Sequence, residues 1–282
     1  MTSSPRAKAF NWTDLLVRAI SAIVLIPAVL LAVFWGGWLF LLMISIGVAL
    51  LAIEWGIMTE PQAPTRAAIG VGVAVLVSVF AAWLDPDSIS PALVLLVAGA
   101  AGAGLFARLR KTGGMDAAYG VFYVGWPSVV LVWLRQHPDG RDWTLMLFAI
   151  AWSADIAAYA IGNLFGGPRL WPRFSPNKTW SGFLGGLAAA VLAAVLVAWW
   201  RPMALGHGPR GLAFAAAIGL VAGLATMGGD LWESALKRRF GVKDAGRLIP
   251  GHGGLMDRVD GLMFAVIAVA AARLVSRFGG FL

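Results

Sequence analysis

Between Arg18 and Glu54 the chain carries no charged residue. A run of that length cannot cover a water-soluble domain, and at roughly 20 residues per bilayer crossing it is too long for one span. Gly36-Gly37 is the natural break, which predicts helices near 15–34 and 38–57. Backbone facing lipid must satisfy its own hydrogen bonds, so the rest of the chain is read as helices too. Apolar stretches bounded by Pro, Gly or charged clusters lie near 67–84, 91–107, 117–134, 143–163, 179–200, 211–229 and 259–278. The expected fold class is therefore all-α: a polytopic integral membrane protein with about nine transmembrane helices. Composition agrees, at 60% hydrophobic and 13% charged residues, against roughly 45–50% and about 25% in an ordinary soluble domain. Arg6 and Lys8 precede the first apolar run, but that run exceeds the roughly 7–15 residues of a signal peptide and no small-residue cleavage pattern follows, so a retained helix is expected.

The net charge of +8 suits anionic head groups and the positive-inside rule better than nucleic acid, and no nucleic-acid partner is expected. Placing the N-terminus inside assigns Arg6, Lys8, Arg66, Arg108, Arg110, Lys111, Arg169, Arg173, Lys178, Lys237, Arg238, Arg239, Lys243, Arg247 and Arg258 to the cytoplasm. Arg135, Arg141, Arg201, Arg210, Arg273 and Arg277 fall outside, with Arg18 in the first helix. Dropping the fourth span would worsen that balance. The expected location is a multi-pass protein of the cytoplasmic (inner) membrane, with the loops after spans six and eight on the cytoplasmic side. With no Cys, disulfides, thiolate-held metals and thiol nucleophiles are excluded.

The polar residues divide the chain. In 1–140 they sit mostly at helix ends, as Asp14, Glu60, Asp85, Asp87, Asp116 and Asp139 do, with Asp142 just beyond. This half is read as structural helices with lipid or dimer contacts. Glu54 is an exception: an ionisable group near the end of an apolar span needs hydration or a partner. A snorkelling carboxylate or a contact between helices is expected there rather than catalysis.

The region 141–282 concentrates chemistry in three segments. Asp155, Tyr159 and Asn163 recur every fourth residue and share one face of the sixth helix. Ser175-Pro176 stops the chain, and Asn177, Lys178, Thr179 and Ser181 introduce the seventh helix, a polar helix start suited to an anion. In the third segment, Asp230, Glu233, Ser234 and Lys237 continue one helical face. A loop with Lys243, Asp244 and Arg247 follows, then Pro250-Gly251-His252-Gly253-Gly254, whose small residues allow close approach to backbone N–H groups. Asp257 and Asp260 open the last helix with Arg258 between them. Carboxylates with nearby cations are what a Mg²⁺-bound polyphosphate requires. No GxxxxGK[ST] loop or HExxH pair is present.

Residues 234–260 read SxLKRxxxxKDxGxxIPGHGGxxDRxD, which closely resembles the motif of phosphatidate cytidylyltransferases, also called CDP-diacylglycerol synthases. Asp155-Ile-Ala-Ala158-Tyr159 with Gly162 and Phe165-Gly166, and Ser175-Pro176-Asn177-Lys178-Thr179-Trp180, look like the same family. The resemblance implies an enzyme moving a cytidylyl group from CTP to phosphatidic acid, giving CDP-diacylglycerol and pyrophosphate with Mg²⁺. A second ion or an additional monovalent cation is left open. It implies that Asp230 and Asp257 hold the metal, and that Lys237, Arg238, Lys243, Asp244, His252, Arg258 and Asp260 fill the catalytic motif. Substrate contacts are expected from Asp155, Tyr159, Ser175, Asn177, Lys178, Thr179, Glu233, Ser234, Gly253 and Gly254. Ser181 stands where the family commonly has Glu, and Asn163 where it often has a basic residue. The lipid bilayer is the expected surrounding; a homodimer is left open, scattered small residues being its only signal.

Two other classes fit the same residues less well. A secondary transporter of an anionic lipid or phosphate ester would place polar groups near mid-membrane and in repeated halves, whereas here they gather at one boundary and in one half. A different nucleotidyl or phospho-alcohol transferase acting on lipid is the other class, and the DGxxAR-type pattern of phospho-alcohol transferases does not appear.

Overall fold

The computed structural model describes residues 12–110, 113–172, 175–201, 205, 208–246 and 253–278, with side chains described from 23 to 277 where the backbone is. These residues form α1 (Trp12–Trp35), α2 (Gly37–Thr59), α3 (Pro64–Leu84), α4 (Ser90–Leu109), α5 (Gly114–Gln136), α6 (Gly140–Phe165), β1 (Arg169–Trp171), β2 (Ser175–Thr179), α7 (Trp180–Trp200), α8 (Pro209–Arg239) and α9 (Met256–Phe278). Eight helices, α2 to α9, are long and apolar enough to cross a membrane, and Ile23–Trp35 adds a shorter apolar helix. The expected span pattern holds, including the fourth span.

The uncharged run breaks where expected. Gly36 and Gly37 have φ of 71° and 51°, a left-handed conformation that side chains disfavour. Arg135 closes the end of α1, its Nε donating to Val33 O at 2.7 Å, so carbonyls left over by the helix are satisfied. Pro stands in the first turn of α3, α4 and α8, where its missing N–H costs nothing.

Packing follows small residues. Along α7, Gly182, Gly186, Ala190, Ala194 and Ala198 are buried at every fourth position, a seam that lets helix backbones approach closely; α6 and α7 form the most extensive helix pair. Helix α5 is the most enclosed span, with 72% of its apolar window buried. Leu, Ile, Phe and Trp on the outer helix faces stay exposed, as lipid-facing positions should.

Ion pairs tie the loops and helix ends together. At one end Arg273 pairs with Asp139 at 2.8 Å and Arg201 with Asp142 at 3.0 Å. Burial pushes the Asp139 carboxyl up, but the hydrogen bonds and charge of Arg273, with the Trp143 indole N–H, outweigh it and hold the pKa below the usual value. Burial, aided by Arg273, pushes His137 down. At the other end Arg239 pairs with Asp116 at 2.9 Å and Lys178 with Asp230.

Two features depart from the sequence reading. The segment before α7 is a small antiparallel hairpin, Arg169 facing Thr179 and Trp171 facing Ser175. Gly166 and Gly167 turn the chain with φ of 60° and 104°, and Pro168, Pro172 and Pro176 block a helix, while a two-stranded ribbon tolerates Pro because both strands are edges. Thr179 then caps α7, its hydroxyl accepting Gly182 N–H at 3.2 Å. The second departure is one of length: α8 runs 31 residues without a break, joining the apolar stretch near 211–229 to the helical face expected from Asp230 to Lys237. At 1.5 Å per residue that is about 46 Å, so its last turns overreach a hydrocarbon core of roughly 30 Å.

Candidate active site

The overreaching end of α8 carries Asp230, Glu233, Ser234 and Lys237 on one face. Helix α9 lies directly against it, because a Cβ at Gly229 would stand 2.5 Å from Asp260 O, and one at Gly261 would stand 2.7 Å from Thr226 Cγ2. This close crossing brings Asp260, only 6% exposed, within hydrogen-bonding reach of Asp230 and Glu233. Carboxyl groups so close repel one another unless a proton or a cation lies between them.

Two lysines supply countercharge. Lys178, on β2, donates to Asp230 Oδ2. Lys237 donates to Glu233 Oε2 at 2.8 Å and to Asp257 Oδ1 at 2.5 Å. The second Asp257 oxygen accepts Gly254 N–H at 3.0 Å and Ala245 N–H at 3.3 Å. Asp155, on α6, lies within electrostatic reach of Asp230, Lys178 and Arg258. The hairpin is tied down at its other end by Ser181, whose hydroxyl donates to Gly166 O, and by Arg169, which donates to Asn177 O at 3.0 Å.

The structure thus brings Asp155, Lys178, Asp230, Glu233, Lys237, Gly254, Asp257, Arg258 and Asp260 into one constellation. Ser234, Ser175 and Gly253 are partly buried, and Thr179 is the buried cap of α7. Tyr159 is 75% exposed, and Asn163, Asn177, Arg238, Lys243 and Asp244 are exposed as well. His252, Arg173 and Arg247 lie outside the described residues.

The first half of the chain contributes more than its sequence announced. Glu54 is fully buried and accepts the N–H groups of Leu255 and Met256, each at 2.7 Å. It is a contact between chain segments, as expected, and not a snorkelling group. Trp55 Nε1 donates to Asp116 O at 3.1 Å, and Trp232 Nε1 donates to the Tyr119 hydroxyl at 2.6 Å. With the Arg239–Asp116 pair, these contacts fasten α2 and α5 to the overhanging end of α8. The only sequence signal for Glu54 was an isolated charge closing a long apolar run.

The donor set suits a hard cation. Asp230, Glu233, Asp257 and Asp260 offer carboxylate oxygens, and Glu233 Oε1 is buried without a hydrogen-bond donor, while sulfur and imidazole ligands are missing among the described residues here. No group of three or more such side chains among the described residues converges on one point; Lys178 and Lys237 balance the carboxylates instead. Ammonium groups interleaved with carboxylates at a membrane boundary can receive a metal-bound polyphosphate, the lysines answering phosphate oxygens and the carboxylates the cation.

The model of the cytidylyltransferase family matches residues 16–275. Phosphatidate cytidylyltransferases of Brucella suis biovar 1 and Brucella abortus biovar 1 are each 41% identical over 269 residues, covering 95% of this chain and 94% of the relative. The phosphatidate cytidylyltransferase of Staphylococcus haemolyticus is 35% identical over 153 residues, 54% of this chain and 57% of that protein. A match over nearly the full length, including the helices that carry no motif, means that the chain belongs to the cytidylyltransferase family.

Proposed function

We propose that this membrane protein transfers a cytidylyl group from CTP to phosphatidic acid, releasing pyrophosphate and leaving CDP-diacylglycerol in the bilayer. The observation that carries the reading is the lysine-balanced carboxylate cluster where α8 and α9 abut, in a chain whose relatives of 41% identity bear the name phosphatidate cytidylyltransferase.

Asp230 and Asp257 would hold Mg²⁺, with Glu233 and Asp260 beside them as further oxygen donors. The ion, when bound, supplies positive charge to the phosphate oxygens of CTP. Lys178 and Lys237 offset charge on the departing pyrophosphate, Arg258 faces the acceptor phosphate, and Asp155 stands behind Asp230 or would serve a second ion. The phosphatidate phosphate attacks the α-phosphorus as the bond to the β-phosphate breaks, in line with the leaving group. That acceptor is already anionic near neutral pH, so no strong general base is needed. Stabilisation by fixed charge is the main contribution of the protein. His252 stands in the motif either as a partner for the acceptor proton or as a hydrogen-bonding group that orders its loop.

The positive-inside balance supports an inner-membrane protein with its N-terminus and this site on the cytoplasmic side, where CTP is dissolved. A homodimer, and a second metal or monovalent ion, are compatible additions to this reading. The test is pyrophosphate release by purified protein in mixed micelles, with phosphatidic acid, each ribonucleoside triphosphate, and Mg²⁺ present or omitted. Release that needs CTP, lipid and Mg²⁺ together supports the proposal. Absence of release from folded protein under every combination overturns it.

A further inference from the structure

Glu54 closes the uncharged run of the first two spans and lies 201 and 202 residues before the two N–H groups it accepts. It is 0% exposed, and a carboxylate so placed is costly unless its oxygens are satisfied. Its two oxygens are satisfied separately, Oε1 by Leu255 and Oε2 by Met256. Those amides open α9, where no carbonyl of the helix can accept them.

The same segment grips Asp257 from its other side. Gly254 N–H and Ala245 N–H converge on Asp257 Oδ2, so the N–H groups of three successive residues, 254 to 256, are divided between Asp257 and Glu54. Two glycines make room for this. A Cβ on Gly246 would stand 2.6 Å from Glu54 Oε1, and one on Gly254 would stand 3.0 Å from both Glu54 Oε1 and Asp257 Oδ2. A side chain at Gly246 would crowd the Glu54 carboxylate, and one at Gly254 would crowd both carboxylates.

We infer that Glu54 is a positioning residue for the reaction: by holding the amides of Leu255 and Met256 it fixes the start of α9, and through it the direction in which Asp257 presents its carboxylate. The inference rests on the reading of Asp257 as a metal-holding group. Groups behind metal ligands typically govern about 10–100-fold in metal affinity or activity, and Glu54 is such a group contributed by the half of the chain that carries no family motif.

Glutamine at this position keeps the size but offers only one acceptor oxygen, and its amide N–H₂ would face an N–H donor. Glu54→Gln is therefore expected to lower kcat about tenfold or more and to weaken Mn²⁺ binding, followed by electron paramagnetic resonance without substrate, by a similar factor. The KM for phosphatidic acid should stay near that of the parent protein. Hydrogen exchange at the amides of residues 254–257 should accelerate, while exchange in α3 and α4 is unchanged. Glu54→Asp, which keeps both acceptors on a shorter arm, should recover part of kcat and serves as the readout should the glutamine variant not fold. Parent-like kcat and Mn²⁺ binding in Glu54→Gln, or accelerated exchange without either loss, overturns the inference. Asp257→Asn run in parallel separates the two ideas. If it binds Mn²⁺ as the parent does, the metal reading falls and the proposed route through Asp257 falls with it; if it alone loses Mn²⁺, only the role of Glu54 falls.

Discussion

Replacing Asp257 by Asn removes one negative charge and leaves the size of the side chain unchanged. In the parent protein this carboxylate takes one hydrogen bond from Lys237 at 2.5 Å and two from backbone N–H groups at 3.0 and 3.3 Å. The amide oxygen of Asn can still accept from the backbone, while its N–H₂ turns toward an ammonium group. One charge-assisted bond is thus lost, about 1.5–3 kcal/mol. The loss falls toward the lower end because Lys237 retains Glu233 at 2.8 Å. Against a typical stability of roughly 5–15 kcal/mol the variant should fold. Activity should respond far more. A single preorganised electrostatic contact governs about 10²–10³ in kcat, and here the lost charge would also hold the cation, so a fall of about 10³ or more is expected. The assay is pyrophosphate release in mixed micelles at saturating CTP, with the thermal midpoint in detergent measured on the same preparation. Turnover within about threefold of the parent, barely 0.7 kcal/mol in barrier, would refute the metal-holding role.

Lys178→Met should leave folding nearly untouched, since Lys178 and Asp230 have side chains 31% exposed and such partly solvated pairs contribute about 1 kcal/mol or less. The same variant should lose about 10²-fold in kcat if the ammonium meets phosphate oxygens, as steady-state kinetics would reveal. Gly261→Leu would drive a side chain into Thr226, to which even a Cβ would come within 2.7 Å; a cost of about 1–3 kcal/mol should lower the midpoint in detergent and separate α8 from α9. The Arg273–Asp139 pair gives a pH test. Because the folded pKa of Asp139 is depressed, its stabilising contribution is present above the ordinary carboxylate pKa and lost as pH falls through the lower folded value. Arg273→Met should therefore lower the thermal midpoint at neutral pH and flatten its acid dependence, measured from pH 7 downward.

The helical framework was legible because lipid imposes it. A charge-free run and its glycine pair fix α1 and α2, and proline starts, glycine pairs and charged clusters bound the other helices. Those same residues are the ones lipid and helix geometry leave little choice about. The face formed by Asp230, Glu233 and Lys237 was also legible, since helical spacing alone aligns them. What spacing could not reveal is that this face and the apolar stretch before it form one unbroken helix ending at Arg239, where Lys237, Arg238 and Arg239 in the last turn favour the helix C-terminus. The hairpin was missed because its signal is three prolines and a short polar run, which equally suit an irregular connector. The partner of Glu54 was hidden for another reason. Its ligands are backbone N–H groups, and these have no letter in a sequence.

The overhang of α8 sets how such a protein would meet its substrates. Asp230 is the twenty-second residue of a helix that begins at Pro209, and at 1.5 Å per residue it stands about 32 Å along it, close to the roughly 30 Å at which hydrocarbon ends. A diacyl lipid could keep its chains in the bilayer while its phosphate reaches the carboxylates. Encounter with the lipid is then a search in two dimensions, and with the nucleotide a search in three. The velocity should follow the mole fraction of phosphatidic acid in the surface rather than its bulk concentration. Diluting the micelles with inert detergent at constant total lipid should slow turnover, whereas diluting the whole solution at constant surface composition and constant CTP should not.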